Sequence, residues 1–400
     1  MTDSDDLLRR HQPRLYYDAQ EAFFADSAAT WTDAPGNLLR RGFGEDQAPI
    51  AVAGGDPELS LDFLASETYG DGSTEVRHND TISDPSRRYR QQAAALHEVE
   101  RYANRIYGHA VTGSDGRLWL QYWFFYFYND FAVAGFGLHE GDWEMIQVRL
   151  DSVEAPDLAV YAQHKEAEQR PWRQVGHPPD DPLQPIVYVA RGSHASYFSP
   201  GSHWTGVWFD QADGRRRSAK PATLEIVGDD RPSWIGWPGS WGDTRKPDPR
   251  DPFSQESPRG PSQHAQWRDP VALVGVAAAT AARRPAPRPP SPPLPDALEV
   301  RRVGDRIEVD YVFGEPGPRQ ADPETLVVTL NSRDDRRVPA TFAFPIGGRT
   351  GTVSPEHEIP VDQRADVHVS AVSPDGVATA AIGIDLEPGQ VAASWARPGA

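Results

Sequence analysis

The run Leu118–Tyr128, LWLQYWFFYFY, is apolar at both odd and even positions. Side chains alternate between faces along a strand, so a half-buried strand alternates apolar and polar residues. A run apolar at both parities needs cover on both faces. Aromatic residues favour strands, and this run is mostly aromatic. The chain must therefore be built in layers around one central strand. The 12 Trp, 13 Tyr and 15 Phe, within 38% hydrophobic residues overall, supply enough bulk for such a β-rich core.

Other segments supply the layers. Trp143–Leu150 alternates, with Ile146, Val148 and Leu150 on the side of Asp142 and Glu144. Leu158–His164 and Ile186–Ala190 read as further strands, and both end on histidine-bearing turns. Strands are expected over 119–128, 143–150, 158–163 and 186–190 in one core sheet system. Asp84-Pro85 is a helix start, with Asp at the cap and Pro at the first helical position. Leu96, Val99, Ala103 and Ile106 recur at helical spacing, and Gly108 suits a helix end. An amphipathic helix is expected over 85–107. Residues 228–270 are rich in Trp, Gly, Pro and Asp and read as a long ordered loop in which Trp234, Trp237 and Trp241 pack, with a sugar or lipid platform as the lesser reading.

Residues 283–296 form a Pro-rich linker of polyproline II composition. Beyond it, 306–313, 325–330, 340–345, 356–359, 366–372 and 378–384 are short runs, mostly alternating, separated by turn residues. That is the pattern of a small immunoglobulin- or fibronectin III-like sandwich. The expected fold class is mainly β. It has a decorated β-sandwich core with one long helix over 1–282, the linker, and the small β-sandwich over 297–400.

The net charge is −18 over 400 residues. A sequence-independent nucleic-acid binder needs a basic footprint, so no nucleic-acid partner is expected. Strong unaided attraction to anionic lipid is disfavoured for the same reason. Positive charge is nearly all Arg, with Lys only at Lys165, Lys220 and Lys246. The Arg215-Arg216-Arg217 run reads as a solvated turn after Asp213-Gly214, with phosphate binding as the lesser reading. There is no cysteine, which excludes disulfides, thiolate catalysis and Cys-based metal sites. The acidic N-terminus lacks an apolar signal region, and no run has the length of a membrane span. A cytoplasmic protein is the expectation, with leaderless export left open.

The chemistry concentrates after the central run. Asn129-Asp130 ends it, and His139-Glu140-Gly141-Asp142-Trp143-Glu144 follows. Asp142 and Glu144 stand two apart, so on a strand both carboxylates share a face and Trp143 points to the other. Two such carboxylates repel unless a cation or proton lies between them. With His139 they give a mixed nitrogen and oxygen donor set suited to a hard divalent cation. His164 and His194, each just past an apolar strand, are the candidate proton carriers. No P-loop, dinucleotide fingerprint or nucleophile elbow occurs.

The run Gly137–Glu144 resembles the Asp-Trp-Glu motif of the vacuolar protein sorting-associated protein 62 family. Pro13–Asp18, Tyr161–His164, Tyr188–Phe198 and Trp237–Asp243 are similar to that family in the same order. The likeness covers roughly residues 10–275. The motif is more distantly similar to the GHRHDWE heptapeptide of the necrosis- and ethylene-inducing peptide-like proteins. There, His, Asp, Glu and an upstream Asp hold a divalent cation on a β-sandwich. Carried over by motif, the implied metal ligands are Asp130, His139, Asp142 and Glu144. The implied cofactor is Mg²⁺ or Ca²⁺ ahead of Mn²⁺. Glu140 and Gly141 replace the central Arg-His of the heptapeptide, so a plant-toxin or sphingolipid-binding activity is not carried over.

Two functions follow. One is a divalent-metal-binding module for a glycan, lipid headgroup or membrane. The other is a metal-assisted hydrolase of a phosphoester or similar bond, with His164 or His194 moving protons. A structural interaction protein is the third reading. The absence of an activated nucleophile or a two-metal carboxylate set favours binding.

Overall fold

The computed structural model describes residues 3–41, 48–66, 69, 77–85, 89–130, 139–205, 209–218, 220–229, 232–242, 258–282, 290–318, 320–332, 340–374, 378–379 and 381–397. The fold is mainly β. The chain divides into two compact units. The first comprises Met1–Asn129, His139–Gly201 and Ala212–Arg284. The second comprises Asp130–Leu138, Ser202–Gln211 and Pro285–Ala400.

The first unit is organised by a six-stranded sheet. Its order is Thr223–Ile226, Arg105–Thr112, Leu118–Asn129, His139–Leu150, Pro156–Gln163 and Glu166–Pro171. Thr223–Ile226 runs parallel to its neighbour, and the other pairings are antiparallel. Leu118–Asn129 lies in the middle and is buried along nearly its whole length. One face carries Leu120, Tyr122, Phe124 and Tyr126 together with Ile146, Val148 and Leu150. A three-stranded sheet of Arg14–Tyr17, Ile186–Val189 and Ser196–Tyr197 packs there through Leu15, Tyr17, Val187 and Val189. Ile186–Val189 is thus a strand of the facing sheet, not of the central one.

The other face carries an aromatic layer. Phe125 lies 4.9 Å from Trp143, 5.4 Å from Trp31 and 5.6 Å from Trp241, ring centre to ring centre. Trp241 in turn meets Trp234 and Trp237. All three loop tryptophans are buried, so they pack and do not form an exposed platform. This two-sided cover is why the central strand has no polar parity.

The long helix expected over 85–107 is a correction. The helix is Tyr89–Glu98, and Arg105–Thr112 is a strand. Ala93 and Leu96 give the helix its buried stripe. Asn104 then takes a left-handed backbone (φ 45°) that no helix continues through. Ile106 and Tyr107 pair into the sheet, with Tyr107 opposite Trp123. Gly108 is mid-strand, where a Cβ would press on Leu224 and Leu8. Residues 86–88, next to the expected cap, lie outside the described residues.

The second unit contains a two-sheet antiparallel sandwich. One sheet orders Thr350–Val353, Arg306–Val312, Ala297–Val303 and Ala392–Ala396. The other orders Ala340–Pro345, Thr325–Ser332, Ala365–Val372 and Ile382–Leu386. Val300, Ile307 and Val309 from one sheet meet Leu326, Val328, Val367 and Val369 from the other. The strand expected at 356–359 is reduced to a single bridge, Arg306↔Glu358. Residues 290–296, expected within the linker, belong to the sandwich. Ser291 bridges Gln320, and Leu294 packs on the core. Residues 283–289 of the expected linker lie outside the described residues. Among the described residues, no helix is long and apolar enough to cross a membrane.

Phe125 is the centre of the aromatic layer. Phe125→Ala is expected to cost about 3–5 kcal/mol, the range for emptying a buried aromatic site. Urea unfolding measures it. An unchanged midpoint would mean that this face needs no cover.

Candidate functional site

Asp142 faces the same side as Tyr126, its partner across the strand pair, while Trp143 faces the aromatic layer. The alternation expected of Asp142 and Trp143 therefore holds. The partner of Asp142 is an imidazole. His194 Nδ1 lies 2.9 Å from Asp142 Oδ2, and Asn129 Nδ2 donates to the same oxygen at 3.4 Å. His194 Nε2 stands 3.7 Å from Glu21 Oε1, an ion-pair distance too long for a hydrogen bond. The imidazole lies flat on the Tyr126 ring, 3.9 Å between centres and 3° between planes. His194, Glu21 and Tyr126 are buried to 1% exposure or less, and Asp142 to 6%.

Three segments far apart in sequence meet here, each prepared by local structure. His194 sits in the tight turn after Ile186–Val189, at a left-handed φ of 56°, with Gly192 also left-handed at 72°. Its N–H donates to the Ala190 carbonyl at 3.1 Å. Glu21 lies just beyond Arg14–Tyr17 and accepts from Phe23 N at 2.7 Å and from Gly192 N at 2.6 Å. Burial pushes the Glu21 carboxyl up, but the His194 charge and the two backbone N–H groups more than offset this and hold it below its ordinary value. Burial likewise opposes the His194 charge, yet Glu21 and Asp142 raise its pKa to about 9. An imidazolium is thus held between Asp142 and Glu21, a different pair from the Asp142 and Glu144 expected to need a cation.

The other expected ligands are placed as follows. His139 is half-buried at the first position of His139–Leu150. Its Nδ1 faces the Gly141 carbonyl at 2.8 Å, a contact that an Nδ1–H donates and that places the lone pair of a neutral ring on Nε2. Glu144 is half-buried on the Asp142 face, two positions along. Asp130 follows Asn129 directly and belongs to the second unit. The hydrogen bonds of Asp142 with Asn129 and His194 both fall on Oδ2, so Oδ1 is a further open donor atom among the described residues. Single donors thus suit a hard cation. Among the described residues, however, no group of three or more His, Asp and Glu side chains is placed to hold one.

The two candidate proton carriers part company. His194 is fully buried, whereas His164 is exposed at the turn of the hairpin joining Pro156–Gln163 to Glu166–Pro171. Its φ of 56° is what a two-residue hairpin turn requires. The two candidates therefore do not share one environment. Asp142 itself anchors a buried charge.

Glu140 and Gly141, the departures from the heptapeptide, have structural roles. Glu140 is 1% exposed, and both its oxygens lie 3.2 Å from Asp84 N. Gly141 has φ 57°, and a Cβ there would collide with the Trp241 carbonyl oxygen. Gly242, at φ 136°, faces the Glu140 carbonyl in the same way. The motif and the Trp-Gly loop thus cross backbone against backbone.

A second buried pair was not signalled by the sequence. His97 Nδ1 lies 3.9 Å from Asp26 Oδ2. Phe23, Phe24, Tyr102 and Phe127 surround the imidazole. Burial raises Asp26 to about 7 and lowers His97 to about 4. The raised carboxyl makes stability fall with rising pH between about 4 and 7, and the lowered imidazole makes it rise over nearly the same window. The two slopes oppose each other.

His194 has no such counterweight. Folding raises its pKa, so its stabilisation is complete below about pH 6.5 and is lost as pH rises through about 9. Stability of the first unit is expected to fall across that window. His194→Gln removes this slope and, by leaving two buried carboxylates uncompensated, costs about 3–5 kcal/mol at pH 6. Urea midpoints of parent and variant across the window measure both effects. Parallel pH profiles would mean that no imidazolium is present.

No family model matches the chain, and no curated protein matches it. Among solved structures, the chain is similar to necrosis and ethylene inducing protein 2 from the causal agent of cocoa's witches broom disease. The identity is 16% and the TM-score 0.31, over 68% of this chain and 89% of that one. It is also similar to a catalytically inactive OgpA from Akkermansia muciniphila in complex with an O-glycopeptide. There the identity is 12% and the TM-score 0.20, over 33% of this chain and 39% of that one.

Proposed function

We infer that the first unit is a binding module and that its His194 site is framework, not an acid–base catalyst. The observation that carries this reading is the burial of His194 between two carboxylates and against a tyrosine ring. A general acid or base must reach the substrate and titrate near the working pH. An imidazole with no exposed atom, held charged to about pH 9, does neither. His164 is exposed but stands on a hairpin tip apart from that buried triad. The ligand class in this reading is a glycan or lipid headgroup, and the likeness of residues 10–275 to the vacuolar protein sorting-associated protein 62 family belongs to the same proposal. It rests on the motif residues, of which the Asp142, His194, Tyr17 and Trp241 segments pack together in one unit.

A divalent cation, Mg²⁺ or Ca²⁺, remains part of the proposal, with the open Nε2 of His139 as its first ligand. After chelation, adding either ion is expected to raise the melting temperature, because an ion bound only by the folded state stabilises it. His139→Ala should abolish the increment without lowering the metal-free melting temperature. His139 is the chosen variant because Asp142→Ala would also strip His194 of its partner. No shift with any divalent ion ends the metal part of the reading.

The binding claim is tested separately. The protein is incubated with immobilised glycans and with phosphodiester-headgroup vesicles, and the products are analysed by mass spectrometry. Retention without turnover is the expected result. Turnover that disappears in a folded His194→Gln variant would make the site catalytic.

A further inference from the structure

A cleft of about 540 Å³ opens between the strand Arg14–Tyr17 and residues 217, 218 and 220–222 of the first unit. Arg14, Tyr16, Arg217, Ser218 and Lys220 are among the residues that line it. On a chain of net charge −18 with three lysines, three cations around one cleft need a cause. Arg14 has one: both its terminal nitrogens pair with Asp180, at 2.8 and 2.7 Å. Arg217 and Lys220 do not. Among the described residues, neither stands within ion-pair distance of a carboxylate, although Lys220 is close enough to Asp26 to act on it through space.

Both are nevertheless held in place. The Arg217 guanidinium lies over the Tyr16 ring, 3.1 Å from its centre. Its Nη1 donates to the carbonyls of Gly214 at 2.7 Å and Arg216 at 2.9 Å. Lys220 Nζ donates to the carbonyls of Glu100 at 3.2 Å and Tyr102 at 2.6 Å, and stands 5.0 Å over the Tyr102 ring. Carbonyls and ring faces orient a cation without neutralising it. Arg217 keeps Nε and Nη2, the two donors of a guanidinium fork, and Lys220 keeps one N–H. A fork takes two oxygens of an oxyanion and an ammonium takes a third.

We propose that this cleft binds a phosphomonoester dianion, with Arg217 and Lys220 as its ligands. The two positive charges match the two negative ones, and three terminal oxygens match three open donors. The source is a soluble phosphomonoester, because the strongly negative chain is repelled by an anionic lipid surface. The reading of the Arg215–Arg217 run as a solvated turn then holds for Arg215, which is exposed beside Asp213, and not for Arg217.

The test titrates glycerol 3-phosphate and inorganic phosphate into the full-length protein at low ionic strength by calorimetry. Saturable binding is expected for both. Arg217→Gln, at an exposed position, should weaken it at least about tenfold, or 1.4 kcal/mol. Lys220→Gln should weaken it similarly, and Arg9→Gln, at an exposed position of the helix Ser4–Arg10, should leave it unchanged. Failure to saturate overturns the proposal, as does equal weakening by Arg9→Gln. Binding to phosphatidic-acid vesicles without binding to glycerol 3-phosphate overturns it too.

Discussion

A single positive charge, placed where water does not reach, ties the first unit together. His194 draws in Asp142 from the central sheet and Glu21 from the segment after the facing sheet's first strand. Each carboxylate alone would be a liability at that depth, and so would the imidazolium. The turn that carries His194 is bent into a left-handed backbone to reach them. The two sheets meet elsewhere through apolar contacts, which set no unique register. The ionic triad does, because its geometry is met in one arrangement only.

The opposite face of the same sheet works by shape. Phe125 and Trp143 present rings to Trp31 and Trp241, and the loop carrying Trp241 is pressed on the sheet. Edge-to-face and tilted pairs dominate, the arrangement that ring quadrupoles favour. A charged site on one face and an aromatic layer on the other share one strand pair. The Asp142–Trp143 dipeptide is the hinge between them, one side chain into each.

Much of this was legible in the sequence. The strand Leu118–Asn129 announced itself by lacking a polar parity, and the Asp142/Trp143 split followed from alternation. The small sandwich was visible in its turn spacing. Position 85–107 misled because Leu96, Val99, Ala103 and Ile106 happen to fall at helical intervals, while the sheet's demand for Ile106 and Tyr107 outweighs local spacing. His194 was visible as a histidine after an apolar strand, but so was His164, and only tertiary packing separates a buried cation from a hairpin tip. Glu21 carried no signal at all. A lone carboxylate acquires meaning only when Gly192 and His194 arrive from the far end of the unit.

The crossing of Gly141 with Trp241 and of Gly242 with Glu140 joins two segments about a hundred positions apart with no room between their backbones. Such a crossing makes the two glycines one evolutionary unit. Neither can gain a side chain by a small local adjustment, since the obstacle is the partner's main chain and not a movable rotamer. Each path through sequence space must keep the two positions bare together or abandon the crossing altogether. Drift in the His-Glu-Gly-Asp-Trp-Glu segment is therefore governed from a loop that shares no chemistry with it.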